Sequence, residues 1–314
     1  MSEPLVYVLV LNWNLKDDTA ECVASVLTSD YERYRVVVVD NGSSDGSADY
    51  LRRTFPGIDL IGNPTNVGFA AGSNIGIRHA LHMGTEYVFL LNSDATVDAG
   101  MLTLLVQQAQ GDASVGMVAP KILYDTGSQR LGRSAGQGLE RSENRRIWRM
   151  GERIRPWLPV PASIGRDEID RGQYAEPFEV DYVTFCGVLI KRSVLEAIGL
   201  LDERFFFSYE DADFCRRARS AGYRIICQPS ACMWHKVSLS ARKDAVNTIY
   251  LRSKSRAVFY RSYPHGPHPW LTAAYLWAHT LAKAGAHVLS GNAELGRQMV
   301  RGLYDGFREP LVSV

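Results

Sequence analysis

The sequence predicts an α/β fold built around a sheet that is largely parallel, and three features support this. Continuous runs of branched apolar residues at 5–11, 35–39 and 87–91 are typical of strands covered on both faces. Helical patterns separate these runs. The chain has 314 residues, 46% of them hydrophobic, which is enough for one sizeable core and a smaller second unit.

Strand and helix alternate from the first apolar run onward. Asp17 is a plausible cap for the helix that follows it, and a further short strand at 58–61 and helix at 70–81 precede the strand at 87–91. The three main strands stop at Asn12, at Asp40 and at the step that ends in Asp94. Sheets of this kind bind ligands outside the carboxyl ends of their strands, so these polar ends predict one crevice.

The second half divides into three parts. Residues 126–179 lose all periodicity and are rich in Gly, Ser, Arg and Pro, which indicates an insertion or a mobile loop. Order returns with an apolar run, a helix at 193–198 and a strand at 224–227. Residues 247–314 are helical apart from a Pro-rich break. We therefore predict a main domain over 1–246 and a C-terminal helical region over 247–314.

Composition excludes several classes of protein. A formal charge of +1 argues against binding nucleic acid or anionic membrane through the overall field. Five scattered cysteines without a Cys-x-x-Cys pair favour small core residues over a zinc site or disulfides. The first apolar run is too short for a secretory signal or a membrane span, so we expect a cytoplasmic protein.

Two segments could approach a nucleotide. Asp40 and Asn41 open a polar turn, where Asp40 could accept hydrogen bonds from a ribose or a base, or could only cap the turn. Small residues around Gly68 open a helix and could admit a ligand, although close packing of helix on sheet explains the glycines equally well. A dinucleotide fold is disfavoured, because no G-x-G-x-x-G follows the first strand.

The step Asn92-Ser93-Asp94 ends a buried strand in an acid. A hard cation such as Mg²⁺ or Mn²⁺, completed by substrate phosphates, uses such a carboxylate, although Asp94 could also simply end the strand. His235 follows a later strand and could return to the same crevice as a second ligand. Lys236 could face phosphates, while a solvated charge is the more common case.

The acidic segment at 209–213 precedes a helical pattern. Helical phase places Asp211 in one stripe with Phe207 and Phe214, where a carboxylate is costly unless it is used. Burial would raise the pKa of Asp211 and suit it to act as a general base. Glu210 near the helix N-terminus and Asp213 beside Arg216 or Arg217 have ordinary structural explanations.

The order of these motifs resembles the signature of family 2 glycosyltransferases. The likeness runs over residues 6–240 through the segments 39–43, 92–94, 210–213 and 234–236, and it is closest to a bacterial rhamnosyltransferase-like branch. It implies a GT-A fold, a mixed sheet flanked by helices with a helical appendage, and residues 126–179 as an acceptor-side insertion. It also implies metal-dependent inverting transfer from a UDP- or dTDP-sugar to a glycan or lipid-linked acceptor, in cell-surface polysaccharide assembly. The enzyme would then work in the cytoplasm or at the inner face of the cytoplasmic membrane.

The resemblance also implies residue roles. Asp40 contacts the nucleoside, Asp94 and His235 hold Mg²⁺ or Mn²⁺, and Asp211 is the base. The sequence departs from the family at Asn92, where an acid is more usual, and this bears on metal affinity. Together with these implied roles, the polar residues around the crevice are the expected donor contacts, namely Asn12, Asn14, Asp40, Asn41, Asn66, Gly68, Asn74, Asn92, Ser93 and Lys236.

Two further features leave alternatives open. Residues 270–289 form an amphipathic helix that suits either a membrane interface or packing on the main domain. An arginine-rich segment could clamp an anionic lipid diphosphate, although a solvated loop is the more common case. Its members are Arg141, Arg145, Arg146, Arg149, Arg153 and Arg155, beside Trp148 and Trp157. The competing functions are a nucleotidyltransferase and a catalytically inert nucleotide-sugar-binding protein.

Overall fold

The computed structural model describes residues 3–125, 145–155, 158–237, 244–264 and 268–310. The strands are β1 Val6–Asn12, β2 Tyr34–Asn41, β3 Asp59–Asn63, β4 Tyr87–Asn92, β5 Ala95–Val97, β6 Val115–Tyr124, β7 Ile147–Arg149, β8 Glu152–Arg155, β9 Leu158–Ser163, β10 Phe178–Val180, β11 Gly187–Lys191 and β12 Arg224–His235. The helices are α1 Lys16–Val26, α2 Ser47–Thr54, α3 Phe69–His82, α4 Met101–Gln110, α5 Arg192–Ile198, α6 Glu210–Ser220, α7 Ala245–Ser262, α8 Pro269–Leu289 and α9 Ala293–Arg308.

The strands form one large mixed sheet in the order β10-β12-β6-β11-β4-β1-β2-β3, with β5 beside β12 and β7 beside β6. Strands β3, β2, β1 and β4 run parallel, whereas β11 is antiparallel to both β4 and β6. The register places Asn12 opposite Asp40, and Leu11 opposite Asn92. The predicted convergence of the three strand ends is therefore confirmed.

Alternation along β1 divides the core into two layers. Val6, Val8 and Val10 face a cluster shared with α1 and α4, while Tyr7 and Leu9 face a cluster shared with α3 and α6. Helices thus cover both faces of the sheet, which is why its strands are apolar without interruption. The five cysteines are free and buried, as the sequence predicts for small core residues.

Residues 126–179, predicted to be an insertion or a mobile loop, contain short strands in the part that the structure describes. Strand β7 pairs with the end of β6, and β8 pairs with β9 in a separate hairpin. These strands are only three to six residues long, so they show no periodicity that the sequence could reveal. Arg141 and Trp157, which belong to the arginine-rich segment, lie outside the described residues, as does the side chain of Arg155.

Three C-terminal helices follow, as predicted, with α7 beginning two residues before the expected boundary at 246/247. A third apolar cluster joins them to the rest of the protein, because Phe205 packs among Val258, Leu276 and Leu303. The division into units 1–246 and 247–314 stays a prediction. None of the described helices combines the length and the hydropathy needed to cross a membrane.

Candidate active site

A pocket of about 620 Å³ opens at the carboxyl ends of β1, β2 and β4. We call it the main pocket. Its other walls are β7, the turn before α6, and the start of α7. Eight of the predicted site residues line it, namely Asn41, Asn66, Gly68, Asn92, Ser93, Asp94, Asp211 and His235.

Asp94 and His235 meet in this pocket although 141 positions separate them. Strand β12 runs antiparallel to β5 and places His235 opposite Ala95, so that Nε2 of His235 lies 2.9 Å from Oδ1 of Asp94. Both side chains are almost completely buried. Two neighbouring ligands of an octahedral Mg²⁺ at about 2.1 Å would stand about 3 Å apart, so the spacing of these two atoms suits one cation.

At this pair, two side chains, those of Asp94 and His235, are placed to hold a cation. Nδ2 of Asn92 lies 3.2 Å from Nε2 of His235, and the Trp148 ring packs 4.6 Å from the imidazole. Across the described part of the chain, no group of three or more His, Cys, Asp and Glu side chains could hold a metal ion. A bound cation would therefore need substrate oxygens to complete its shell, as cations that bind phosphates commonly do.

The turn at Asn41 shapes the opposite side of the pocket. Nδ2 of Asn41 donates to Oδ1 of Asn66 and to the carbonyl of Gly68, while its Oδ1 accepts from Asn63. Gly68 has φ of +89°, and a Cβ there would lie 2.7 Å from the carbonyl oxygen of Phe206. Glycine is therefore required at this position for two loops to meet at the pocket wall.

Asp211 accepts two hydrogen bonds at the N-terminus of α6. The Tyr182 hydroxyl donates to Oδ2 at 2.6 Å, and the backbone N–H of Ala212 donates to Oδ1 at 2.8 Å. Protein surrounds the carboxyl group except where it opens to the pocket, and this burial raises the pKa of Asp211, while the two hydrogen bonds oppose the rise. Asp211 is a carboxylate suited to take a proton.

The helical phase predicted for the acidic segment at 209–213 agrees with the structure only in part. The predicted pairing of Asp213 is confirmed, since Arg217 donates to it at 2.8 Å. However, α6 begins at Glu210, so Phe207 lies outside the helix, and the predicted stripe is buried only at Phe214 and Ala218. Asp211 stays partly exposed, whereas Glu210 and Asp213 are buried.

Glu210 is a functional candidate, although the sequence alone gave it an ordinary structural explanation. It is 6% exposed, lines the main pocket, and its Oε2 has no hydrogen-bond partner among the described residues. Burial raises the pKa of Glu210 well above its usual value, and the neighbouring Asp211 raises it further. We expect Glu210 to carry the proton of this pair and Asp211 the charge.

The turn that precedes Glu210 and Asp211 has a strained backbone. Ser208 and Tyr209 have φ of 67° and 73°, a region that non-glycine residues rarely adopt. Two such residues in succession cost on the order of 1–3 kcal/mol each and persist only where the surrounding structure holds them. Here the Tyr209 ring packs against Phe259 of α7, so the C-terminal helices help to hold the turn.

The sequence did not indicate Tyr182 as a site residue, and Trp148 and Arg149 were named only with the arginine-rich segment. All three line the main pocket. They come from segments without a strong local pattern, so only their neighbours in space identify them.

Several expected donor contacts do not line the main pocket. Nδ2 of Asn12 donates to Oδ1 of Asp40, and both side chains are buried in the turn that Asn14 and Ser43 complete. Asn74 is 1% exposed and binds the backbone of Leu201 with both ends of its amide.

Lys236 does not line the main pocket either. It was expected to face phosphates, but its ammonium group is paired with Asp18 and, at 2.7 Å, with Glu21 of α1. The side chain is 5% exposed, so Lys236 ties β12 to α1 instead of facing the main pocket.

Comparison with known proteins gives a consistent result. The model of the family described as glycosyl transferase family 2 matches residues 7–199. An N-acetylglucosaminyl-diphospho-decaprenol L-rhamnosyltransferase of Mycobacterium tuberculosis is 24% identical over 252 residues, which cover 77% of this chain and 78% of the relative. The dTDP-rhamnosyl transferase RfbF of Shigella flexneri is 22% identical over 254 residues, covering 81% and 76%.

Solved structures confirm the fold. GalNAc-T7, determined with UDP, GalNAc and Mn²⁺, is similar with a TM-score of 0.60 at 16% identity over 84% of this chain, which spans about half (51%) of that protein. The mannosyltransferase PcManGT of Pyrobaculum calidifontis, in complex with GDP-Man and Mn²⁺, has a TM-score of 0.56 at 19% identity, covering 98% and 88%. The predicted GT-A fold is therefore confirmed.

Proposed function

Because the chain belongs to glycosyl transferase family 2, we propose that it transfers a sugar from a UDP- or dTDP-sugar to a hydroxyl group of a glycan or glycolipid, with inversion at the anomeric carbon. We place this reaction in the assembly of bacterial cell-surface polysaccharide, as the rhamnosyltransferase relatives suggest. One observation carries the proposal. A buried Asp94–His235 pair and the carboxylate of Asp211 line the same pocket.

The first part of the proposal is a divalent cation, Mg²⁺ or Mn²⁺, held by Asp94 and His235. The 2.9 Å between their donor atoms supports it, as does the nearly complete burial of both side chains. The ion would neutralise charge on the leaving diphosphate. Asn92 supplies an amide where a carboxylate would add charge, so we expect the ion to bind weakly without the nucleotide.

The donor would lie along the ends of the parallel strands. Trp13, Asn41 and Asn66 border that side of the pocket and offer an aromatic face and backbone or amide groups to a nucleoside. Asp40 remains proposed for this part of the donor, but as a positioning residue. Its two carboxylate oxygens hold Asn12 and the backbone of Ser43, and thereby the turn beside Trp13.

The base would be Asp211. Ionised Asp211 can take the proton of an acceptor hydroxyl that reaches the open side of its carboxyl group. The Tyr182 hydroxyl fixes the orientation of that group, and a protonated Glu210 adds no second negative charge. A single base suffices for direct displacement, which inverts the anomeric configuration.

The amphipathic helix α8 supports contact with a membrane, the alternative that the sequence left open. Its buried positions are Thr272, Leu276, Thr280 and Ala284. Much of its apolar side faces solvent, with Trp270 65% and Leu281 54% exposed, while Trp277 stacks on Phe307 of α9. An apolar helix face in solvent suits a lipid interface. We propose that it holds the enzyme beside a lipid-linked acceptor, which is also the kind of molecule named in the M. tuberculosis relative.

The proposal is tested by incubating the protein with a panel of UDP- and dTDP-sugars, Mn²⁺ and lipid-linked glycan acceptors. We expect release of UDP or dTDP that requires acceptor, and NMR of the product should show the inverted anomeric configuration. Release of pyrophosphate from a nucleoside triphosphate would identify a nucleotidyltransferase instead. Donor binding without consumption under any condition would identify an inert binding protein.

A further inference from the structure

A second pocket of about 390 Å³ borders Asp211, as the main pocket does. We call it the side pocket. It is enclosed by β8, α6 and the C-terminal helices α7 and α8, and it shares Arg149, Tyr182, Tyr209, Asp211 and Arg252 with the main pocket. A ligand in the side pocket would therefore contact the proposed base in a space that Asp94 and His235 do not line.

Four cations line the side pocket without neutralisation by a carboxylate. The guanidinium of Arg216 lies over the Tyr263 ring, that of Arg252 lies over the Phe207 ring, and Arg256 donates to Nδ1 of His279 at 2.9 Å. Lys283 is the fourth. In the described parts of the chain, none of these four forms an ion pair with an acid. The three arginines are held in place by neutral groups, which leaves their charges available.

Two of the three acids that line the side pocket are already paired with other arginines, Glu152 with Arg149 and Asp181 with Arg219 at 2.7 Å. Asp211 accepts from the neutral Tyr182 and is the one carboxylate left beside the four cations. The neighbouring Arg217 shows the contrast, because it pairs with Asp213 of its own helix. One carboxylate does not balance four cations, which repel one another, so a bound anion would make their grouping more favourable.

His279 reports this excess of positive charge. Burial lowers its pKa, and the nearby Arg256 and Lys283 lower it further. Neutral His279 therefore accepts from Arg256 at Nδ1 and leaves Nε2–H as a donor. Tyr275 and Lys283 belong to the same polar side of α8, which faces the pocket while the apolar side faces solvent.

The remaining wall is apolar. Ile154, Ile249, Phe259 and Met299 line the side pocket beside the cations. A free inorganic anion would make no use of such a wall, whereas a phosphate ester with a hydrocarbon chain would bury its first carbons there.

We propose that the side pocket binds the phosphate or diphosphate group of an amphipathic acceptor, with Arg216, Arg256 and Lys283 as its cationic contacts. This inference rests on the proposed function, because it assigns the acceptor side of the same site. The anion would lie between the apolar face of α8, which contacts lipid, and Asp211, which receives the hydroxyl proton. The acceptor would thus be anchored by its charged group while its sugar reaches the base.

The test is calorimetric binding of farnesyl diphosphate and of inorganic pyrophosphate to the full chain, in EDTA so that no metal contributes. We expect the double variant Arg256→Gln/Lys283→Gln to bind both probes at least about tenfold more weakly, because two charge-assisted contacts are lost. The single variant Lys283→Gln changes only an exposed side chain, so it tests the idea even if the double variant is unstable. The control Arg297→Gln/Arg301→Gln removes two exposed cations of α9 and should bind like the wild type.

Three results are informative. Loss of affinity in the side-pocket variants, with farnesyl diphosphate bound more tightly than pyrophosphate by the wild type, supports an amphipathic acceptor. Equal affinity of both probes overturns the acceptor and indicates a site for free anions. Unchanged affinity in the variants overturns the site itself. These measurements need no turnover, so they stand apart from the proposed function, whose failure would appear as no donor consumption by the wild type.

Discussion

The hydroxyl of Tyr182 lies 2.6 Å from Oδ2 of Asp211, and the two residues stand where the main and side pockets meet. Burial raises the pKa of Tyr182 well above its usual value, and the adjacent carboxylate raises it further, so the tyrosine keeps its proton and acts only as a donor. A fixed donor orients Asp211 and tempers the effect of burial on its pKa. Five predictions follow from this site and its surroundings.

Replacing Asp211 with Asn should lower kcat by about 10²- to 10⁴-fold, because the acceptor hydroxyl loses its base. Binding of UDP with Mn²⁺, measured by calorimetry, should stay nearly unchanged. The matched control is Asp49→Asn, which alters an exposed carboxylate of α2 that lines neither pocket. A normal turnover rate in the Asp211 variant would remove this residue from the mechanism.

Replacing Tyr182 with Phe should shift the pH profile of kcat. The hydroxyl stabilises the ionised form of Asp211, so its loss raises the pKa of that carboxyl group. The acidic limb of the profile should therefore move to higher pH, with a smaller loss of activity on its alkaline side. A uniform drop in kcat at every pH would indicate a purely structural role for Tyr182.

Glu210 should make the folded state less stable as the pH rises. Its folded pKa lies well above the usual value of about 4.3, so the stability present below that value is lost as the pH rises towards the folded pKa. Glu210→Gln removes this titration. Its Tm should be close to that of the wild type at pH 4 and exceed it at pH 8, measured without metal or donor. A lower Tm at both values would contradict the protonated state.

The metal site should respond in opposite directions to two changes. Asp94→Asn removes one of two ligands and should weaken Mn²⁺ binding in the presence of UDP by at least about tenfold. Asn92→Asp places a carboxylate 3.2 Å from Nε2 of His235 and should strengthen it. Titration followed by the electron paramagnetic resonance of free Mn²⁺ measures both. Equal affinities in the three proteins would mean that the ion binds elsewhere.

Membrane contact should depend on the exposed face of α8. Trp270→Ser/Leu281→Ser removes two exposed apolar side chains, each worth roughly 1.5–3 kcal/mol when fully buried, and should markedly reduce flotation with liposomes while leaving Tm unchanged. Met83→Ser at the end of α3 is the control, since Met83 is 52% exposed but distant in the sequence from α8. Equal flotation of all three proteins would argue against the membrane role.

Much of the fold was readable from local pattern. Apolar runs predicted β1, β2 and β4, and the position of polar residues at the ends of these strands predicted the crevice. The short strands β7 to β10 were invisible, because three to six residues carry no periodicity and gain their stability from a partner strand.

For the site, the sequence proposed three residues that could carry chemistry, namely Asp94, Asp211 and His235, and the structure brings all three to one pocket. The tertiary structure decided which of their neighbours share in it. Residues far along the chain determine how deeply Glu210, Tyr182 and Lys236 are buried and which groups they pair with. These contacts decide whether each of the three side chains takes part in the site. Helical phase describes one helix in isolation, whereas the pKa of a carboxyl group depends on every element that surrounds it.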